Sequence, residues 1–158
     1  MNAKMAELKR CFEAAGFLDV KTVISSGNVV FSTDLRAARE IERRAETAME
    51  QHLDRAFYTI VRSTDALKRM LQADPYPAFA VPAGAKRVVT FLRKPRPPGQ
   101  PLPVKLDGAC IFAAIGTEVF SAYLPSPNGP AFMTLIEKTF GKNVTTRTWD
   151  TVKKCANA

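Results

Sequence analysis

Apolar residues recur at helical spacing near the start of the chain, where Met5, Leu8, Phe12 and Ala15 share a face and Gly16 follows as a natural C-terminal stop. That spacing predicts an amphipathic helix over residues 4 to 15. The period then shortens: β-branched and aromatic runs at 20 to 24 and 29 to 31 flank Ser25-Ser26-Gly27-Asn28, which reads as a β-hairpin. Leu35, Ala38, Ile41, Ala45, Ala48 and Met49 restore the helical stripe, with Thr33 or Asp34 expected to cap it and a run of Arg and Glu covering its outer face.

Residues 57 to 61 read as a strand, and Ser63 as the cap of a short helix carrying Leu67, Met70 and Leu71. Pro75 and Pro77 forbid its continuation. A strand is expected at 87 to 92, followed by a stiff connector containing Pro95, Pro97, Pro98, Pro101 and Pro103 that cannot join a sheet interior. Residues 109 to 115 and 119 to 124, separated by Gly116-Thr117, form a second hairpin. Phe132, Leu135, Ile136 and Phe140 mark a helix closed by Gly141, and a final helix, which includes the helix-like segment 145 to 154, carries the stripe Trp149, Val152 and Ala156.

Helix, hairpin, helix, strand is the tail of a ferredoxin-like plait, and the second half is a degenerate echo of it. The expected class is therefore α+β, with two fused plait-derived units, helices on antiparallel or mixed sheet, and one compact domain over residues 1 to 158 divisible into 1 to 79 and 80 to 158. The first, central strand of the first plait is missing from this order. Either the second half fills that gap, or another chain does, giving a homodimer through an incomplete sheet, or the natural protein begins upstream of Met1.

Composition sharpens this picture in one respect, the placement of charge. Residues 1 to 79 hold 12 Lys and Arg against 11 Asp and Glu, a balance of +1, whereas residues 80 to 158 hold 11 against 4, a balance of +7. A field of one sign over one half attracts nucleic acid or small phosphorylated ligands. No run of about 18 apolar residues exists and the first residues have no secretory apolar core, so the expectation is a cytoplasmic protein without a membrane span. Cys11, Cys110 and Cys155 are far apart, which argues against a disulfide framework or a zinc site.

Four separated segments carry a family resemblance: Met5-Ala6-Glu7-Leu8 followed by Gly16-Phe17, then residues 23 to 31, which end in Ser-Gly-Asn-Val-Val-Phe, then Val61-Arg62-Ser63, and finally Thr145-Thr146-Arg147-Thr148-Trp149-Asp150-Thr151-Val152. Together they resemble the bacterial domain of unknown function (DUF) 1697 family over nearly the whole chain. The resemblance implies a compact α+β fold related to two plait-like units, without an established activity, cofactor or catalytic residue. Family members usually open with a further strand and a Gly-rich loop that this chain lacks, and their Asn-Trp-Asn is here Thr148-Trp149-Asp150.

Candidate chemistry is concentrated in the last segment. Read as a helix start, Thr145, Thr146 and Arg147 form an anion site, with Lys142, Lys153 and Lys154 raising the local potential; the structural alternative is a helix cap with Trp149 in the core. Ser26, Gly27 and Asn28 could present hydroxyl and N–H groups to a ligand, although a tight turn needs the same residues. Phe91, Phe112, Phe120 and Tyr123 lie on strands beside cations and could stack bases. His52 is the sole histidine and has no evident nucleophile partner, and the common nucleotide and zinc motifs are absent, so no catalytic residue, metal site or cofactor is expected. The expected function is a non-catalytic binding protein for a phosphate-bearing partner, nucleic acid first. The alternatives are a small enzyme acting on a phosphorylated or acidic metabolite, or an interaction module completed by a partner strand.

Overall fold

A computed structural model describes residues 4–24, 27–55, 57–125 and 131–158. The chain divides into two compact units, the first running up to Arg69 and including Lys153–Ala158, the second comprising Met70–Val152.

In the first unit, α1 (Met5–Ala14) is followed by the antiparallel pair β1 (Leu18–Val23) and β2 (Asn28–Ser32) and by α2 (Ala38–Leu53). The predicted stripes form its core: Leu8, Cys11 and Phe12 of α1 pack with Ile41, Ala45, Ala48 and Met49 of α2. Phe12, Phe17 and Phe31 join helix to hairpin with ring centroids 4.4–5.6 Å apart. Edge and offset aromatic contacts of this kind add roughly 0.5–1.5 kcal/mol each to the burial itself. Gly27 sits at φ +84, a conformation that glycine adopts without strain. The Asn28 side-chain amide donates to the Val23 carbonyl oxygen at 3.0 Å, closing the turn.

Two expectations fail in this unit. Among the described residues, 57 to 61 enter no sheet, and two of their N–H groups are met by a helix instead: Thr59 N–H donates to Glu46 Oε2 at 3.2 Å and Val61 N–H to Glu42 Oε2 at 3.4 Å. Neither Thr33 nor Asp34 caps α2. The helix opens at Ala38 after Ala37, while the Thr33 hydroxyl accepts the Leu35 N–H at 3.2 Å in a local turn. The next helix, α3 (Thr64–Ala73), has its predicted cap, since Ser63 Oγ accepts the Ala66 N–H at 3.0 Å.

The second unit carries a five-stranded antiparallel sheet of order β4-β5-β6-β3-β7, built from β3 (Lys86–Phe91), β4 (Val104–Leu106), β5 (Ala109–Ile115), β6 (Glu118–Tyr123) and β7 (Thr145–Thr148). Four of these strands, β7-β3-β6-β5, stand in the fourth-first-third-second order of a ferredoxin-like plait, with β3 in the central place. The protein is thus α+β, as its pattern predicts. The proline-rich connector replaces the plait's first helix and ends in β4, an edge strand that the hydrophobic pattern did not reveal. One sheet face, with Val88, Ile111 and Val119, packs on Phe132, Leu135, Ile136 and Phe140 of α4 (Ala131–Phe140). On the other face, Phe120 meets Tyr76 of a short 3₁₀ turn at 5.8 Å and Trp149 at 6.5 Å. Trp149 opens α5 (Trp149–Ala156), whose stripe Trp149, Val152 and Ala156 is buried as its spacing predicts.

Candidate basic surface of the second unit

Residues 145 to 148, expected to begin the last helix, form strand β7 instead. Three of the four are threonine, whose branched Cβ favours extended backbone, and antiparallel pairing with β3 supplies the backbone hydrogen bonds that an isolated helix turn would lack. The register places Thr145 opposite Phe91, Thr146 opposite Thr90 and Arg147 opposite Val89. Thr146 and Thr90 join their hydroxyls at 2.9 Å across the pair.

The helix therefore starts four residues later, and its cap is neither Thr145 nor Thr146. Thr148 Oγ1 accepts the Thr151 N–H at 3.2 Å and donates to the Thr151 hydroxyl at 3.0 Å. Asp150 adds a carboxylate to the first turn. Thr145, Thr146 and Arg147 consequently do not surround a helix N-terminus. Arg147 is half-buried, and its Nη1 donates to the Thr146 carbonyl oxygen at 2.8 Å.

The fold gathers cations elsewhere. The connector after β3 lies along the end of α4, pinned there by three hydrogen bonds: Arg96 Nη1 to the Phe140 carbonyl oxygen at 2.7 Å, Gly99 N–H to the Thr139 carbonyl oxygen at 2.9 Å, and Gln100 Nε2 to Thr139 Oγ1 at 3.0 Å. Gly99 permits this approach, since a Cβ there would come within 3.3 Å of the Lys138 carbonyl oxygen. Lys94 and Arg96 on the connector thereby come to the same end of the unit as Lys138 on α4 and Lys142 in the turn before β7. All four are exposed, with half-buried Arg93 beside them. Lys142 is thus the one predicted anion-site residue in this cluster. Lys153 is exposed on α5 and belongs to the first unit. The bonded residues of connector and α4 lie 39 to 44 positions apart in sequence, so no local motif marks their meeting.

The proposed base-stacking aromatics are not a platform. Phe91 and Phe120 are buried, Tyr123 stacks on Phe132 at 5.1 Å, and Phe112 stacks on Phe79 at 4.9 Å and 7°. Apolar rings covered on both faces of the sheet lower the energy more as core than as exposed surface. Tyr76, also missed by sequence reasoning, holds this face together. Its hydroxyl lies 2.6 Å from the Val88 carbonyl oxygen and 3.0 Å from that of Ser121, while Arg87 stands 5.6 Å from its ring and 5.8 Å from that of Trp149. Burial pushes the Tyr76 hydroxyl well above the usual tyrosine range.

In the first unit, Gly27 and Asn28 serve the turn, while Ser26 lies outside the described residues. Exposed His52 lines two clefts of about 590 and 410 Å³, which also share Ala14. Cys11 lines the larger one, but it is buried and its thiol is pushed up by desolvation, away from the nucleophilic thiolate. Among the described residues, no three His, Cys, Asp or Glu side chains stand together as a metal site. No described helix is long and apolar enough to cross a membrane.

A plait-derived α+β protein with a basic surface is the class these observations define. The chain belongs to the DUF1697 family, described as proteins of unknown function, whose model matches residues 1–107. Its fold is similar to that of the conserved bacterial protein SP0830 from Streptococcus pneumoniae, at 17% sequence identity and a TM-score of 0.63, over 99% of this chain and 88% of that one. No curated protein matches.

Proposed function

We propose that this protein is a non-catalytic cytoplasmic binding protein that holds a phosphate-bearing partner, nucleic acid first, on the basic end of its second unit. The observation that carries this reading is the gathering of Lys94, Arg96, Lys138 and Lys142 by the connector and the end of α4, in the half of the chain with a balance of +7. Exposed cations on fixed backbone suit phosphate oxygens and carry no reactive group. Fluorescence anisotropy of a labelled oligonucleotide, titrated at two salt concentrations, tests the reading. Saturable binding that weakens steeply with salt is the expected result; indifference of the oligonucleotide at low salt would defeat it.

A second reading, pairing with another copy of the chain, is favoured by β2. Among the described residues this strand pairs with β1 alone, and Asn28–Ser32 contains neither a charge nor a proline to guard its other edge. Light scattering after size exclusion measures the mass directly. A dimer that Val30→Lys converts to monomer supports edge pairing, and a wild-type monomer at high concentration removes it.

A further inference from the structure

We infer that the partner held on the basic end of the second unit is duplex nucleic acid, gripped by its phosphates without contact to its bases; the inference rests on the function proposed above. Single strands are usually held by a cationic groove together with aromatic side chains on which successive bases stack. That stacking is worth about five- to 150-fold in affinity per base. The second unit has the cations and withholds the rings. Phe91 is 6% exposed, Phe120 and Trp149 are 3% exposed, and the half-buried rings of Phe112 and Tyr123 are already stacked on Phe79 and Phe132.

Without stacking, charge density decides between the two forms. A duplex presents one phosphate per roughly 1.7 Å of axis and a single strand one per roughly 3.4 Å, so a compact cluster of cations meets more phosphates on the duplex. The cluster is also held in place. Arg96 is bonded to the Phe140 carbonyl oxygen, and the connector is tied to α4 at Thr139, next to Lys138, through the Gly99 N–H and the Gln100 side chain. Cations carried on backbone that is held in this way lose less freedom on binding than the same side chains on a loose loop. Four exposed cations, Lys94, Arg96, Lys138 and Lys142, set the ceiling on the salt response at a slope of roughly −3.6 in log K against log salt for a duplex and roughly −2.8 for a single strand.

The experiment compares one labelled duplex of about 20 base pairs, each of its separated strands, and a second duplex of unrelated sequence, all by anisotropy with the full-length protein over a salt series. The expected result is a duplex bound several-fold more tightly than either strand, equal affinity for the two duplex sequences, and a slope of roughly −3, within the ceiling of roughly −3.6. Lys94→Ala combined with Lys142→Ala should make that slope shallower by roughly 1.8, with Trp149 emission reporting that the fold is kept. A strand bound as tightly as the duplex, or a tenfold difference between the duplex sequences, would overturn the inference while leaving a nucleic-acid-binding protein. Failure of every polymer to bind at low salt would overturn the proposed function with it.

Discussion

Arg96 donates to the carbonyl oxygen of Phe140 at 2.7 Å and thereby caps the last turn of α4 from a segment more than forty residues away. The guanidinium also lies over Gly141, whose φ of +86 ends the helix. A Cβ at position 141 would collide with Arg96 Nη1. Gly141→Ala therefore combines backbone strain, roughly 1–2 kcal/mol, with a steric conflict. In an Arg96→Ala background the conflict disappears and the strain remains. Urea denaturation of the two single variants and the double variant should show that Gly141→Ala costs less when Arg96 is absent, a coupling of about 0.5 kcal/mol or more between contacting residues. Strict additivity would mean that the guanidinium moves aside freely.

Tyr76 offers a measurement of the same kind on the other sheet face. Tyr76→Phe keeps the ring contacts with Trp149 and Phe120 and deletes the hydroxyl shared by the Val88 and Ser121 carbonyl oxygens. A buried hydrogen bond of this type contributes about 0.5–1.5 kcal/mol, and denaturation of the variant should show a loss in that range.

The ionisation of Tyr76 also sets a pH dependence. Burial raises its pKa in the folded state, so the unfolded chain gives up this proton first as pH rises. Protons bound to the unfolded state are then fewer than those bound to the native state, and stability falls as pH climbs through the unfolded value of about 10. Below that value the contribution is fully present. Stability curves between pH 8 and 11 should therefore decline more steeply in the wild type than in Tyr76→Phe. Parallel curves would show that Tyr76 does not control the alkaline limb.

Two buried hydroxyls of the second unit should answer substitution with opposite signs. Ser121 Oγ is fully buried with no hydrogen-bond partner, so Ser121→Ala removes a desolvated polar group and should leave stability unchanged or raise it, by up to about 1 kcal/mol. Thr139 Oγ1 donates to the Leu135 carbonyl oxygen at 2.7 Å and accepts from Gln100 Nε2 at 3.0 Å. Thr139→Val keeps the shape, leaves Gln100 without that acceptor and should cost about 1–3 kcal/mol. Thermal unfolding of the pair checks both signs; equal losses would contradict the difference in hydrogen bonding.

Periodicity made the helices legible because their stripes are one-sided: Leu8, Cys11 and Phe12 on α1, and Phe132, Leu135, Ile136 and Phe140 on α4, are buried where the 3.6-residue repeat puts them. Both hairpins were equally readable from their turn residues. The errors have a common cause, since each lies where a distant segment decides between local alternatives. Thr145–Thr148 is four residues long and could open a helix or extend; pairing with Val88–Phe91 settles it as a strand. Residues 57 to 61 look like a strand, but Glu42 and Glu46 take N–H groups that a sheet would otherwise use. The basic surface was legible as excess charge and illegible as a place. Its geometry depends on the proline-rich connector docking on α4, which no spacing in the sequence encodes.

That difference between charge and place leads to a test on two residues expected to act together. Arg147 and Lys142 lie five positions apart, yet the structure gives them different settings. Arg147 is half-buried and directs one N–H to the carbonyl oxygen of its own strand, whereas Lys142 is exposed beside the connector's cations. Lys142→Ala should weaken polyanion binding and make the salt slope shallower by roughly 0.9, the loss of one phosphate contact. Arg147→Ala should leave that slope nearly unchanged and act on stability instead, through the packing of β7 on β3. Anisotropy titrations at several salt concentrations, run beside urea denaturation on the same two proteins, separate these effects. If Arg147→Ala alone flattens the salt dependence, the phosphate contacts belong to the edge strand β7, and the basic surface centred on Lys94, Arg96, Lys138 and Lys142 is the wrong one.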